Sequence, residues 1–323
     1  MIQPLTEGAV VLATHPRPPV GRTPHRVVHV HDKLRVRFYE GGEAPPIVIV
    51  PSLINKAWIV DLEEDRSLVR HLVDEGHPVY LVDWGEPKAE DADEDVAYIL
   101  DALLARSLRR IRRHAGRGLT LLGYCMGGTL AAMCLARHPG LADKLVLLNA
   151  PFRFSEGGRF RELCRDLDVS ALLDRDGLVP VELMKPAFKL LDPPGNWTKL
   201  VALAGIRKDP LKLTRAMARE RWLEENVPMP GAFAREWIAH TYQADDLLDG
   251  AWVIEGSAVD LGRVGIPVLV LASERDFIAP PASVTPVADV VPDATVEVLA
   301  CGHIGAVVGR FLPKLVARIH AWA

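Results

Sequence analysis

The feature that most constrains this chain is the pentapeptide GYCMG at residues 123–127, which Gly128 follows. An apolar, strand-like run precedes it at Leu119–Leu122, and a helix-like run follows it at Thr129–Ala136. This context is typical of a G-x-nucleophile-x-G elbow, in which a sharp strand-to-helix turn raises one side chain into a site. Glycines suit such a turn because its backbone is strained and packs closely against its neighbours.

The residue at the centre of this elbow is Cys125. A thiolate is a better nucleophile near neutral pH than a hydroxyl, so a cysteine here favours thioester or acyl-transfer chemistry. The alternative interpretation is a buried, structural cysteine at the start of a helix. The motif alone leaves both interpretations open.

Composition limits the remaining possibilities. The 323 residues are 49% hydrophobic and carry a formal net charge of -4, which predicts a large core and gives no electrostatic case for nucleic acid. The four cysteines have neither metal-ligand nor disulfide spacing, so we expect a reducing compartment, no metal and no cofactor. We see no signal peptide and no apolar run of ~20 residues that could span a bilayer, and we expect a cytoplasmic protein.

Short apolar strands alternate with helices along much of the chain, which predicts βα units and a mostly parallel sheet with helices on both faces. Two alternating segments, Val27–Val30 and Leu34–Tyr39, predict an antiparallel entry to that sheet. Residues 1–24 contain five prolines and are predicted to form an irregular arm. The buried strands are predicted at Ile47–Val50, Pro78–Trp84, Leu119–Leu122, Leu145–Leu148, Val268–Leu271 and Val296–Leu299.

One interval breaks this alternation. Residues 152–262 have helical patterns at Val181–Leu191, Leu211–Glu225 and Phe233–Tyr242, with few strand signals. We interpret this interval as a mainly helical cap, inserted before the strand that would carry the acid, over the carboxyl edge of the sheet. The core is then residues 25–151 together with 263–323.

An elbow nucleophile needs an acid and a base that follow it in the chain in that order. Asp276 follows the predicted strand Val268–Leu271, and His303 follows the last one, Val296–Leu299. Both therefore fall on the edge of the sheet where the elbow emerges, which predicts a Cys125, His303 and Asp276 triad. Taken singly, Asp276 could be a helix cap and His303 a simple loop histidine. Glu274 is a second candidate for the acid.

An oxyanion hole requires backbone N–H groups that point at the reacting carbonyl. One is expected from Met126, directly after the nucleophile. The other is expected from the loop after Ile47–Val50, where Ser52 and Leu53 are the candidates.

Five segments carry a resemblance to a known family: the elbow at 123–128, PSLINK at 51–56, DLEEDRS at 61–67, VYLVDWG at 79–85 and GHIG at 302–305. Together they resemble the polyhydroxyalkanoate synthase family, most closely its class III catalytic subunit. The likeness runs from about Asp32 to the carboxyl terminus and is weaker in the cap. One departure is Phe277, which follows the acid where the family usually has histidine.

The resemblance implies an α/β-hydrolase fold and an acyltransferase that polymerises hydroxyacyl-CoA into a polyester through an acyl-Cys125 intermediate, with CoA leaving. It also implies a growing polyester chain as partner, and it raises a second synthase subunit, a homodimer and a location on the polymer granule. Two rivals remain open. One is a hydrolase with the same triad, such as a thioesterase, an esterase or a depolymerase. The other is a non-catalytic, granule-associated or partner-binding protein.

Overall fold

The computed structural model describes residues 2–191 and 193–323. Twelve strands are present in these ranges: β1 Arg26–His31, β2 Leu34–Tyr39, β3 Ile47–Val50, β4 Val79–Asp83, β5 Thr120–Tyr124, β6 Lys144–Leu148, β7 Leu178–Val179, β8 Met229–Pro230, β9 Val253–Ile254, β10 Ser257–Ala258, β11 Val268–Ser273 and β12 Ala294–Leu299.

The same ranges contain twelve α-helices: α1 Ile2–Thr14, α2 Leu68–Asp74, α3 Arg106–Ala115, α4 Met126–Arg137, α5 Gly158–Cys164, α6 Val181–Leu191, α7 Pro193–Ile206, α8 Pro210–Glu224, α9 Gly231–Ile238, α10 Pro281–Val284, α11 His303–Val308 and α12 Leu312–Trp322. Two π-helical segments, Tyr98–Ala105 and Ala239–Gln243, adjoin α3 and α9. Short 3₁₀ turns lie at Ala57–Val60, Glu64–Arg66, Ala89–Asp91, Phe154–Glu156, Val169–Leu172, Leu261–Arg263 and Thr285–Asp289.

Eight strands form one sheet in the order β1-β2-β4-β3-β5-β6-β11-β12. The first two pairings are antiparallel and all the others are parallel, as the sequence predicts. From β3 the chain moves to one side to form β4 and then crosses to the other side to form β5. The carboxyl ends of β3 and β5 therefore flank a topological switch point, where open α/β sheets bind their ligands.

The central strands are apolar on both faces because helices cover the sheet on both sides. In β3, Val48 and Val50 belong to one hydrophobic cluster and Ile47 and Ile49 to another. Side chains alternate between the two faces of a strand, so an uninterrupted apolar run fits a strand that is buried on both sides. This burial fixes the register of β3 and its neighbours, and hence the height at which each following loop begins.

The interval between β6 and β11 contains α5 to α9 and two small two-stranded sheets. Helix α6 has the bounds predicted for it, and α8 lies within one residue of its prediction. Helix α7 was not predicted. The division of the chain into a core and a cap at residues 152 and 262 stays a prediction.

The prediction of an irregular arm over residues 1–24 is wrong for its first part, since α1 covers Ile2–Thr14. The prolines misled the prediction, because Pro4 lies in the first helical turn, where its missing N–H costs nothing, and the others follow the helix. Helix α1 packs against α7 so closely that a Cβ on Gly8 would lie 2.0 Å from the carbonyl oxygen of Leu200. Within the described ranges, no helix combines the length and apolar character required to cross a bilayer.

Candidate active site

Cys125 lies at the junction of β5 and α4, in a backbone conformation that few residues adopt. Its φ is 55° and its ψ is -135°, and it immediately precedes the first residue of α4. Its N–H donates to the Leu148 carbonyl at 3.0 Å, and its own carbonyl accepts from the N–H of Gly128 at 2.8 Å. A non-glycine residue at positive φ stores strain, which the surrounding packing must hold. The elbow predicted from the sequence is therefore present, with Cys125 at its apex.

The glycines of the motif are explained by close approach. A Cβ on Gly123 would lie 2.3 Å from the Cα of Gly128, and one on Gly127 would lie 2.2 Å from the Val50 carbonyl oxygen. A Cβ on Gly128 would lie 2.5 Å from that of Ala150. Only glycine permits α4 to start this close to the ends of β3, β5 and β6.

His303 and Asp276 form a buried pair at the ends of the last two strands. Nδ1 of His303 lies 2.6 Å from Oδ2 of Asp276, and the two side chains are 6% and 0% exposed. The second carboxylate oxygen of Asp276 accepts from the N–H groups of Ile278 and Ala279, both at 2.9 Å. Asp276 thus orients the imidazole and also holds the turn that follows it, whereas the helix α10 that comes next has Pro280, not Asp276, at its N-cap.

The electrostatics of His303 favour its protonated form. Burial lowers the pKa of the imidazole, but the charges of Asp276 and Cys125, and hydrogen bonds to both, outweigh it and raise the pKa to about 10. Asp276 and Cys125 are therefore the partners that stabilise an imidazolium at this position. Such a pairing is the arrangement that activates a cysteine nucleophile.

Cys125 and His303 both line a cavity of about 600 Å³. Its apolar wall includes Leu62, Trp222 and Ile304, and Phe277 also faces it with its side chain half-exposed. Helix α8 supplies much of the opposite wall. The helical interval after β6 thus completes the site, which fits the interpretation of this interval as a cap.

The candidates for the oxyanion hole lie at the start of α4 and in the segment that follows β3. Met126 is the first residue of α4, so its N–H has no partner within the helix. Ser52 and Leu53 follow β3, which pairs with β5, and both are buried. Ser52 lines the cavity, and its Oγ is buried without a hydrogen-bond partner among the described residues. The choice between Ser52 and Leu53 stays a prediction.

Asn149 is a site residue that sequence reasoning missed. It follows β6 at a φ of 50°, and it is fully buried. Its side-chain oxygen accepts from the N–H of Ser273 at 2.9 Å, and its amide nitrogen donates to the carbonyl of His303 at 3.3 Å. The signal in the sequence was a polar residue directly after an apolar strand, in the run LLNAP at 147–151.

The other candidates lie outside this arrangement. Glu274 is exposed, whereas Asp276 is the carboxylate that contacts the histidine. Cys301 is buried with its Sγ 3.3 Å from the Oγ of Ser273, and burial raises the pKa of its thiol. Burial also raises the pKa of Cys134, whose Sγ lies 3.7 Å from the Leu100 carbonyl oxygen. Both thiols are buried in the interior. No group of metal-ligating side chains is present in the described part of the chain.

Comparison with known proteins agrees with this fold. Residues 45–309 match the family model described as alpha/beta hydrolase fold. The solved structure of MenH from S. aureus superposes with a TM-score of 0.55 at 18% identity, covering 89% of this chain and 97% of that one, which supports the fold alone. The chain belongs to the α/β-hydrolase superfamily.

Curated relatives narrow the family further. The poly(3-hydroxyalkanoate) polymerase subunit PhaC of Synechocystis is 32% identical, covering 92% of this chain and 84% of that protein. The PhaC subunit of Haloferax mediterranei is 34% identical over 88% of this chain, which spans 60% of that protein's length. Within the superfamily, the chain is a member of the PhaC family of poly(3-hydroxyalkanoate) polymerase subunits.

Proposed function

We propose that this protein is an acyltransferase that joins hydroxyacyl groups from hydroxyacyl-CoA into a polyester. The observation that carries the proposal is the alignment of a strained elbow cysteine with a buried His303–Asp276 pair at one cavity. Membership of the PhaC family supports the same chemistry, since the curated relatives are named as polymerases of 3-hydroxyalkanoates.

In the first half-reaction, the thiolate of Cys125 attacks the carbonyl carbon of the substrate thioester. The carbon–sulfur bond to CoA breaks, and the imidazolium of His303 gives its proton to the departing thiolate of CoA. Met126, together with Ser52 or Leu53, donates backbone N–H groups to the oxyanion that forms. Asp276 holds the Nδ1–H tautomer throughout, so that the other ring nitrogen is the one that exchanges protons.

In the second half-reaction, neutral His303 takes the proton from the hydroxyl group of another hydroxyacyl unit. The resulting oxygen nucleophile attacks the acyl-Cys125 carbonyl, an ester bond forms, and the cysteine thiolate leaves. The acyl-cysteine keeps the reactivity of a thioester, so the transfer is not trapped in a stable ester. Water at this point releases free hydroxyacid instead, and the helical wall of the cavity limits its access. No step of this proposed reaction requires a cofactor.

The proposed product also indicates a partner and a location for this protein. A growing polyester is insoluble, which suits a protein at the surface of a polymer granule in the cytoplasm. All four cysteines are free thiols, in keeping with a reducing compartment. The curated relatives are named as subunits, which supports a search for a second protein in the active complex.

The test is to incubate the protein with 3-hydroxybutyryl-CoA, follow release of free thiol and identify the acyl product. Wild type, Cys125→Ala and the control Cys134→Ala are compared. Thiol release that requires Cys125 but not Cys134, with ester oligomers as product, supports the proposal. Free 3-hydroxybutyrate as the sole product makes the protein a thioesterase, and equal turnover by Cys125→Ala overturns the mechanism.

A further inference from the structure

The cavity that holds Cys125 is lined by far more positive than negative charge. Its lining includes six cationic side chains and two carboxylates, among the described residues. The protein as a whole is acidic, with a net charge of -4, so this concentration of positive charge is local. The cations are Arg66, Lys185, Lys199, Lys212, Arg215 and Arg219, and the carboxylates are Glu220 and Glu224.

Helix geometry explains why three of these cations form a line. Lys212, Arg215 and Arg219 follow one another at spacings of three and four residues, which places them on one face of α8. All three line the cavity, so this is the face that α8 turns toward Cys125 and His303. Arg66, at the end of the 3₁₀ turn Glu64–Arg66, lies close enough to Arg215 and Arg219 to be repelled by both.

The local acidic residues neutralise only part of this charge. Asp65 forms an ion pair with Arg215, and the charges of Asp65 and Glu63 also act on Arg66. Arg66 nevertheless has no carboxylate within 4.0 Å among the described side chains, and burial together with Arg215 lowers its pKa. The Nε of Arg215 is buried with no hydrogen-bond partner in the described chain. Arg219 approaches Glu220 only at 4.0 Å, and Glu220 pairs more closely with Lys199, at 2.7 Å. The three guanidinium groups therefore carry more positive charge than these carboxylates neutralise.

Holding like charges together in a partly desolvated wall costs stability, and it is a characteristic of sites that bind an anion. Guanidinium groups are the preferred partners of phosphate, because their planar donors match its oxygens in pairs. Arg219 is 46% exposed and Arg215 is 25% exposed, so this part of the wall reaches solvent. A substrate that carries its thioester to Cys125 and its phosphates toward solvent fits this arrangement.

We infer that Arg66, Arg215 and Arg219 bind the phosphate groups of the CoA moiety and select CoA thioesters over thioesters without phosphate. This inference rests on the proposed function, which makes a hydroxyacyl thioester the substrate. The arginine cluster adds recognition of the leaving group, CoA. Lys212 lies on the same face of α8 and adds long-range attraction, although Asp209 pairs with it at 2.8 Å. The apolar wall, which includes Leu12, Ile206 and Trp222, accommodates the uncharged arm between phosphate and sulfur.

The test compares two substrates with the same acyl group, 3-hydroxybutyryl-CoA and 3-hydroxybutyryl-N-acetylcysteamine. The measured quantity is the ratio of their kcat/KM values in wild type, Arg66→Gln, Arg219→Gln and the double variant. We expect this ratio to fall about tenfold for each arginine, as the loss of one charge-assisted hydrogen bond predicts, with most of the change in KM for the CoA thioester. The control is Arg175→Gln, because Arg175 is 92% exposed and is not part of the cavity wall.

An equal fall in kcat/KM for both thioesters means that the arginines have a structural role, and no change for either means that they do not contact the substrate. Both outcomes overturn the inference. Raising the ionic strength should increase KM for the CoA thioester and leave that for the acetylcysteamine thioester unaffected.

A second measurement separates this inference from the proposed function. Calorimetric titration with adenosine 3′,5′-bisphosphate, which carries phosphates but no acyl group, requires no turnover. Weaker binding by Arg66→Gln/Arg219→Gln than by wild type supports the site even if neither thioester reacts. Equal binding, or none by wild type, overturns the site and leaves the acyl-transfer proposal untouched.

Discussion

The side chain of Asn149 donates to the backbone carbonyl of His303 at 3.3 Å, and this bond joins the start of α11 to the end of β6. Tyr124 donates to the same carbonyl at 3.3 Å, and its ring centroid lies 5.3 Å from that of His303. The position of the imidazole is therefore set from two strands besides the one that precedes it. Asn149 acts through His303 and is a positioning residue.

Replacing Asn149 should raise the activation free energy of acylation by more than it lowers the free energy of unfolding. Asn149→Gly keeps the positive φ available but removes both side-chain hydrogen bonds, and the loss of buried partners is expected to cost about 1–3 kcal/mol of unfolding free energy. Urea unfolding and single-turnover acylation of Cys125 are the measurements. Asn149→Asp keeps an acceptor for Ser273 but places a buried carboxylate against the His303 carbonyl oxygen, so neither the stability nor the rate is expected to recover. Full recovery of the rate by this variant contradicts a positioning role.

Asp276→Asn should leave the fold intact and slow acylation by roughly 10³–10⁴-fold, the loss seen when the acid of a comparable triad becomes an amide. The amide can donate to Nδ1 and so favours the wrong imidazole tautomer. Single-turnover release of CoA measures the effect. Glu274→Gln, a change at an exposed carboxylate two residues earlier, serves as the matched control and should react like wild type. If Glu274→Gln is the slower variant, the acid has been assigned to the wrong residue.

Stability should depend on pH through His303. Its pKa is about 10 in the folded protein against 6.5 for an ordinary histidine, so the folded state holds this proton more tightly than the unfolded state. The stabilisation is fully present below pH 6.5 and is lost as pH rises through about 10. Urea unfolding of wild type and His303→Gln at several pH values should show a difference in free energy that shrinks over this range. A difference that stays constant with pH would falsify the assignment.

One of the four cysteines, Cys125, should react with a thiol reagent much faster than the other three. Cys125 faces the cavity beside His303, whereas burial raises the pKa of each of the other three thiols, to about 12 for Cys164. Iodoacetamide at neutral pH should therefore alkylate one residue rapidly in wild type and none rapidly in Cys125→Ala, with mass spectrometry as the readout. Rapid labelling of Cys301 would mean that its loop opens in solution.

Replacing a glycine of the elbow by alanine should destabilise the protein far more than the same replacement at a glycine elsewhere. Gly127→Ala places a Cβ 2.2 Å from the carbonyl oxygen of Val50, and both are backbone-anchored, so we expect a loss of several kcal/mol or failure to fold. Gly205→Ala is the control. It lies in α7 with nothing within 4 Å of its Cβ, so alanine should be neutral or stabilise by up to about 1 kcal/mol. Comparable thermal unfolding of the two variants would contradict the close packing of the elbow.

Much of the fold was predictable because its central strands are buried on both faces and so read as continuous apolar runs. The predicted strand Ile47–Val50 and the predicted helix Val181–Leu191 have the observed bounds. Helix α1 and helix α7 were not predicted, since each depends on packing against the other and not on its own periodicity. The π-helical segment at Tyr98–Ala105 was not predicted either, because no local pattern marked it.

By itself, the sequence determined the elbow, the order of nucleophile, acid and base, and the strand ends on which each lies. Those follow from local patterns, because glycines, apolar runs and polar residues just after strands are constraints that act over a few residues. Only the tertiary structure decided that Asp276 and not Glu274 meets His303, that Asn149 anchors the histidine loop, and that Arg66 joins the arginines of α8. These relationships join residues far apart in the chain, and their distances are set by the register of the sheet and the placement of the inserted helices.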